Sequence, residues 1–185
     1  MRYIATIILS LAALTVTAQV SDLRGYDVMS DGEIKFSSFK NKKGIAVIFT
    51  SNVCPYSVYY EGRITQLIND YGNDVQFLLV NSHNEAKETA EEMKNKLSTW
   101  GISVPYIADK DGAMMKALGA RKSPEVYLLK PVGATYSVFY KGAIDNNPQV
   151  ATDVKEQYLK DHLQALLSGR SASVSATRPI GCMIK

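Results

Sequence analysis

The chain holds two cysteines in 185 residues, Cys54 and Cys182. Cys54 lies in the stretch FTSNVCPYS, residues 49–57, between an apolar run and Pro55, and Ser57 stands where a second sulfur would complete a C-x-x-C pair. If a helix begins at Pro55, the unpaired amide groups and positive dipole of its first turn favour a thiolate at Cys54, and the thiolate is the nucleophile. A mixed disulfide formed there has no resolving sulfur inside the motif, so release needs another thiol, and Cys182 is the one the chain offers. Three arrangements are open. The two cysteines form a redox couple; or they form a permanent bridge that pins the tail, where closing a loop on the order of 100 residues contributes up to about 4.7 kcal/mol in the chain-entropy model; or Cys182 packs as a small hydrophobe away from Cys54. Pairing requires Cα atoms within about 7 Å.

Ser123-Pro124, ahead of the apolar run EVYLLK, is the second chemical feature. An X–Pro bond is cis at modest cost, and a cis proline facing Cys54 would leave neighbouring backbone groups free to align an extended peptide near the sulfur. The plainer alternative is that Pro124 only opens an edge strand. On the first reading Pro55, Tyr56, Ser57, Ser123 and Pro124 outline a substrate groove beside the catalytic residues Cys54 and Cys182. Tyr59 and Tyr60 read better as packing on an early helical turn, Glu61 with Arg63 as a structural ion pair, and His83 as a solvated loop histidine. His83 and His162 stand at no metal-ligand spacing to either cysteine, so no metal or other cofactor is implied.

The elements that must position these residues follow from hydrophobic spacing. IAVIFT, residues 45–50, is a continuous apolar run of the kind that forms a strand covered on both faces. From Pro55 to about Tyr71, apolar residues at 60, 64, 67, 68 and 71 make a helical stripe, and Pro55 suits its first turn. VQFLLVN is a second strand, residues 85–100 predict a surface helix stopped by Gly101, VPYIAD a short strand, and DGAMMKALGA a short helix. EVYLLK and TYSVFYKG, joined through Pro131 and Gly133, predict an antiparallel hairpin, and residues 153–167 a last helix. The tail SASVSATRPIGCMIK is rich in small residues yet carries Ile180, Met183 and Ile184 around Cys182. Strands alternating with helices, then a hairpin, imply a mixed central sheet with the hairpin as its antiparallel edge.

Met1-Arg2, an apolar run to Val16 and small residues before Ala18 read as a secretory signal cut after residue 18. That predicts an exported protein, in an environment where thiols pair. One domain is expected over residues 19–170, followed by the cysteine-bearing tail 171–185. Composition is ordinary for a globular protein, 46% hydrophobic and 21% charged. The formal charge of +3 counts Arg2 among 21 basic residues against 18 acidic ones, so its removal leaves +2. The charges are interspersed, which argues against a nucleic-acid partner and, after cleavage, against a membrane. The oligomeric state is left undetermined.

FTSNVCPYS with Tyr60-Glu61 and Arg63, Asn81-Ser82, Ser123-Pro124-Glu125-Val126, Gly142 with Ile144-Asp145, Tyr158-Leu159 with Asp161, and the ending Thr177-Arg178-Pro179-Ile180-Gly181-Cys182 together resemble the redoxin, or peroxiredoxin-like, branch of thioredoxin-fold proteins. The resemblance runs from about residue 21 to the C-terminus. It implies an α/β thioredoxin-like domain, a three-layer α/β/α sandwich with a mixed central sheet, with Cys54 at the first cysteine of C-x-x-C and Pro124 at the cis-proline. It further implies thiol-disulfide oxidoreductase or antioxidant activity on protein or small-molecule thiols and disulfides and, for an exported chain, the bacterial periplasm as its destination. Members commonly read TCNHCPYV; here Ser51, Val53 and Ser57 replace the earlier cysteine, the histidine and the valine. The peroxidase pattern P-x-x-x-T-x-x-C is also out of register, since Thr50 lies four residues before Cys54, so thiol-disulfide exchange is expected over peroxide reduction. The competing expectation is a non-catalytic peptide- or protein-binding module with a structural Cys54–Cys182 bridge.

Overall fold

The run at residues 44–49 has no polar group to turn towards water on either face, and it becomes the middle of the sheet. The computed structural model describes residues 19–20 and 22–184; the secretory segment expected at residues 1–18 lies outside them. In chain order the elements are β1 (Gln19–Val20), β2 (Arg24–Asp27), β3 (Gly32–Lys35), β4 (Gly44–Phe49), α1 (Pro55–Tyr71), β5 (Val75–Asn81), α2 (Ala90–Ser98), β6 (Tyr106–Ala108), α3 (Ala113–Leu118), β7 (Lys122–Ser123), β8 (Glu125–Val132), β9 (Thr135–Gly142), α4 (Tyr158–Leu167) and β10 (Cys182–Met183). Eight strands form one sheet in the order β1-β9-β8-β4-β5-β6-β2-β3, and β10 pairs separately with β7. β4, β5 and β6 are parallel, while β8 lies antiparallel to β4 and β9 to β8.

Alternation along the buried strands divides the core into two layers. Ala46, Ile48, Phe77, Leu79, Val126 and Leu128 face α1, α2 and α4, where Tyr60, Ile64, Met93, Leu97, Leu159 and Leu163 meet them. Ile45, Val47, Leu78, Val80, Tyr127 and Leu129 face the opposite side, covered by Phe36 and by Met114 and Leu118 of α3. This is the three-layer α/β/α sandwich with a mixed sheet.

Several local expectations differ from the structure. The polar opening contains β1, β2 and β3: β2 joins the sheet beside β6 through Asp27, whose carboxylate accepts hydrogen bonds from Met29 N and Tyr106 N. The hairpin does not end the sheet, because β1 pairs outside β9. The helix expected over 85–100 is a single 3₁₀ turn, Ala86–Glu88, followed by α2, with Thr89 capping α2 by accepting from Glu92 N. Its start shifts because the Glu88 side chain turns inward instead of facing solvent. α4 begins at Tyr158, five residues later than its apolar pattern suggested, since Asn146 Oδ1 accepts the amides of Lys155 and Glu156 and holds that stretch extended.

Candidate functional site

Cys54 is the residue immediately before α1, with extended backbone (φ −63°, ψ 122°), and Pro55 takes the first helical position, where a missing amide hydrogen does no harm. Cys54 is 4% exposed. The turn that delivers it is organised by Ser51, whose Oγ accepts from Cys54 N at 2.9 Å and Val53 N at 3.2 Å while donating to Glu88 Oε1. Glu88 is itself buried, and its Oε2 accepts from Asn52 N (2.9 Å) and Asn81 Nδ2 (2.6 Å). A carboxylate out of water is tolerable only when donors satisfy its oxygens; these three bind the Cys54 turn to the end of β5. Tyr106 OH donates to Asn52 Oδ1 at 3.0 Å and completes the frame.

Across from this turn, the Ser123–Pro124 peptide bond is cis, as the sequence led us to expect. The carbonyl oxygen of Ser123 lies 3.2 Å from Cys54 Sγ. His83 is not solvated: it is buried beneath the same segment, with Nε2 2.9 Å from Ser123 Oγ and its amide donating to Asn81 Oδ1. Burial holds its imidazole below the ordinary histidine value, against the opposing pull of Glu88 and Glu85. Burial likewise lowers Lys110, whose Nζ donates to the His83 carbonyl at 2.6 Å. A loop position gave the sequence no means of showing that β5, β6 and the 122–124 segment would close over this histidine.

Cys54 and Cys182 are joined by a disulfide, with their Cα atoms 6.1 Å apart at a sequence separation of 128. The tail does not float. His162 Nε2 meets the Val174 carbonyl at 2.8 Å, and Lys141 exchanges backbone bonds with Ser175 and Thr177. Thr177 Oγ1 accepts from Ala143 N and lies 2.6 Å from Tyr140 OH. Gly142, at φ +135°, makes this crossing possible, because a Cβ there would stand 2.3 Å from the Thr177 carbonyl oxygen. The tail then runs as β10 antiparallel to β7, Cys182 opposite Ser123 and Met183 opposite Lys122, and Ile184 N donates to Arg121 O at 3.0 Å. The Ile184 side chain, 8% exposed, joins the core layer that contains Phe49, Leu118 and Tyr127.

The remaining candidates separate. Ser123 and Pro124 lie buried under the tail, and Tyr56 is half-buried beside an exposed Pro55. Ser57 points inward, buried, with an Oγ that has no hydrogen-bond partner, so it lies beneath the site and is no part of an open groove wall. Glu61 and Arg63 do not pair. Two residues apart on a helix they project in different directions: Glu61 meets Lys96 at 2.7 Å, and Arg63 Nη1 meets Asp145 Oδ2 at 2.6 Å. Tyr60 OH donates to the other oxygen of Asp145, and the Arg63 guanidinium lies over the Tyr60 ring. Tyr59 is exposed. The residue that sequence reasoning passed over is Glu88, masked within a charged segment, while Gly181 entered only as part of the terminal motif before Cys182, with no role of its own. Among the described residues no cluster of acidic, histidine and cysteine side chains is arranged to hold a metal.

Two solved structures extend over nearly the whole chain. A hypothetical protein from Sinorhizobium meliloti 1021 is 25% identical, covering 94% of this chain and 96% of its own, with a TM-score of 0.82. An uncharacterised conserved protein from Geobacillus kaustophilus is also 25% identical, covering 91% and 90%, with a TM-score of 0.83. A secreted disulfide oxidoreductase from Mycobacterium tuberculosis, homologous to E. coli DsbE, is 13% identical over 78% of this chain and 96% of its own, with a TM-score of 0.60, a likeness of fold. Among curated proteins none matches. The Redoxin family profile matches residues 18–134, a span that holds the Cys54 turn, the first two parallel crossovers and the cis-proline strand. With a cysteine heading α1 and the Ser123–Pro124 bond facing it across the end of a thioredoxin-like sheet, the chain belongs to the Redoxin family.

Proposed function

We propose that this protein is an exported thiol-disulfide oxidoreductase in which Cys54 is the nucleophile and Cys182 the resolving thiol. The observation that carries the reading is the bond between a cysteine at a helix start and a cysteine on a tail laid beside Ser123-Pro124, with Ser57 unable to serve in its place. In the reduced chain the first-turn amides of α1 stabilise the Cys54 thiolate. That thiolate attacks one sulfur of a substrate disulfide; the other sulfur leaves as a thiolate and takes a proton from solvent. Cys182, deprotonated, attacks Cys54 Sγ, the substrate sulfur departs with the electron pair, and the Cys54–Cys182 bond forms. Two electrons have passed from the dithiol to the substrate, and a dithiol reductant restores the starting state. Thiol-disulfide exchange is reversible, so the same steps in reverse oxidise a substrate dithiol.

The test is alkylation of the reduced protein across pH, read by mass spectrometry. Cys54 is expected to react rapidly below the ordinary cysteine value of about 8.5, with Cys54→Ser abolishing exchange with a small disulfide. Slow alkylation at an ordinary thiol value sinks the reading. A second reading, a binding module with a structural bridge, draws support from the near-complete burial of Cys54 and the many tail contacts. A reduction potential below about −300 mV favours that bridge, and a value in the range of catalytic couples favours chemistry.

A further inference from the structure

The last residues of the chain occupy a bed with defined chemical demands. Its hydrogen bonds with β7 are main-chain bonds, which any extended polypeptide can make. Lys122 Nζ adds one more, donating to the Gly181 carbonyl at 3.1 Å. Side-chain selectivity enters at two positions only. A Cβ on Gly181 would stand 2.3 Å from the Ser123 carbonyl oxygen, 2.6 Å from its carbonyl carbon and 3.0 Å from Pro124 N, all of them backbone atoms. Two residues after Cys182, the Ile184 side chain is received by the apolar core layer. Between and beyond these, Met183 and Ile180 are 52% and 51% exposed and meet no such demand.

We propose that residues 181–184 are a built-in occupant of the substrate site, and that a protein substrate presents its reacting cysteine there in the same register: glycine immediately before the cysteine, any residue after it, then an apolar residue. The substrate class is an extended Gly-Cys-x-apolar segment whose cysteine is disulfide-bonded. This inference rests on the reading of Cys54 as the exchanging sulfur. Tail and substrate cannot fill one bed together, so the substrate enters when the Cys54–Cys182 bond is reduced. The Cys54 thiolate attacks the substrate cysteine sulfur, its former partner sulfur leaves as a thiolate, and the Cys54–substrate disulfide lies in the bed. Re-entry of the tail with attack by Cys182 on Cys54 Sγ expels the substrate cysteine as a thiolate. Formation of the internal bond and release of product are thereby one event.

The full chain with Cys182→Ser, which traps the mixed disulfide, tests this with three probes: the glutathione mixed disulfides of the peptides Ala-Gly-Cys-Thr-Ile-Ala and Ala-Val-Cys-Thr-Ile-Ala, and bis(2-hydroxyethyl) disulfide. Formation of the Cys54–peptide adduct is followed by mass spectrometry, and each rate is divided by that with free dithiothreitol to remove intrinsic reactivity. Far-UV circular dichroism of the variant, matched to that of the reduced unsubstituted chain, verifies that the variant is folded. The glycine peptide is expected to react at least about tenfold faster than the valine peptide, since a forced backbone clash is costly to relieve. Equal rates for the two peptides, with the small disulfide reacting, overturn this inference and leave Cys54 chemistry standing. Failure of Cys54 to react even with the small disulfide removes the proposed function and this inference with it.

Discussion

Replacing Gly181 with alanine should make the Cys54–Cys182 bond easier to reduce. The added methyl would sit 2.3 Å from the Ser123 carbonyl oxygen. Ordinary non-bonded contacts settle at about 3.5–4.0 Å, so the tail must move outward by more than about 1 Å. Neither neighbour yields easily, since Ser123 and Pro124 belong to the backbone that leads into the central strand β8. In the oxidised state the sulfur bond holds residue 181 against that backbone, and the strain is borne by overpacking and by partial withdrawal of Ile184 from the core. In the reduced state the tail lifts and the strain is relieved. Overpacking costs about 1–3 kcal/mol, a range that also covers loss of part of the Ile184 burial. Placed on the oxidised form alone, it raises the two-electron potential by about 20–65 mV at about 30 mV per 1.4 kcal/mol. Equilibration in glutathione buffers, acid quenching, alkylation and mass spectrometry read the potential directly. A Gly181→Ala potential equal to that of the unsubstituted chain would refute the close-approach reasoning, and with it the glycine requirement placed on substrates.

The other predictions concern what holds the site in place. Cys182→Ser opens a cross-link spanning 128 positions and should lower unfolding stability in urea by about 2–5 kcal/mol, with tail residues becoming protease-sensitive; an unchanged midpoint would deny the bridge a stabilising role. Ser51→Ala leaves the Cys54 and Val53 amides without their acceptor and Glu88 without one donor, a loss of about 1–3 kcal/mol that urea unfolding of the oxidised protein measures. Asp145→Asn leaves the Arg63 guanidinium its carbonyl partners but removes its counter-charge, and should cost about 3 kcal/mol by the same assay, as breaking one side of a buried pair does; a change within error would mean water already screens the pair. Because burial holds the folded-state His83 value down, the unfolded chain binds the proton more readily. Stability is therefore whole above the ordinary histidine value of about 6.5 and declines as pH falls through it towards the folded-state value. His83→Gln should flatten that decline in urea midpoints, and an equally steep slope in the variant would assign it to other groups.

Much of the frame was legible because its signals are local. The apolar runs at 45–50 and 75–81, the stripe along residues 60–71 and the Pro131/Gly133 hairpin each carry their own periodicity, and each forms the expected element. Cys54 ahead of Pro55 and the Ser123-Pro124 pair were visible for the same reason. What escaped depended on distant partners. β2 and β3 are short and mostly polar, and they become strands because Asp27 finds an amide 79 positions away. His83 and Glu88 are polar residues in polar stretches, and only the closure of the Cys54 turn, β5 and the 122–124 segment around them removes them from water. Arg63 and Glu61 looked like one another's partners until helix geometry sent them to Asp145 and Lys96.

The sequence by itself determined the layers, the place of Cys54 at the head of a helix and the absence of a second sulfur at Ser57. The tertiary structure alone decided where the other sulfur comes from. Gly181 and Ile184 fit the tail to its place only because of what the fold puts opposite them: Gly142 lets the tail cross β9, β7 offers it an unpaired edge, and Gly181 meets a carbonyl that no side chain could approach. A tail of small residues holds little information until a surface shaped to receive it exists, and that surface is assembled from strands more than thirty residues away in the chain.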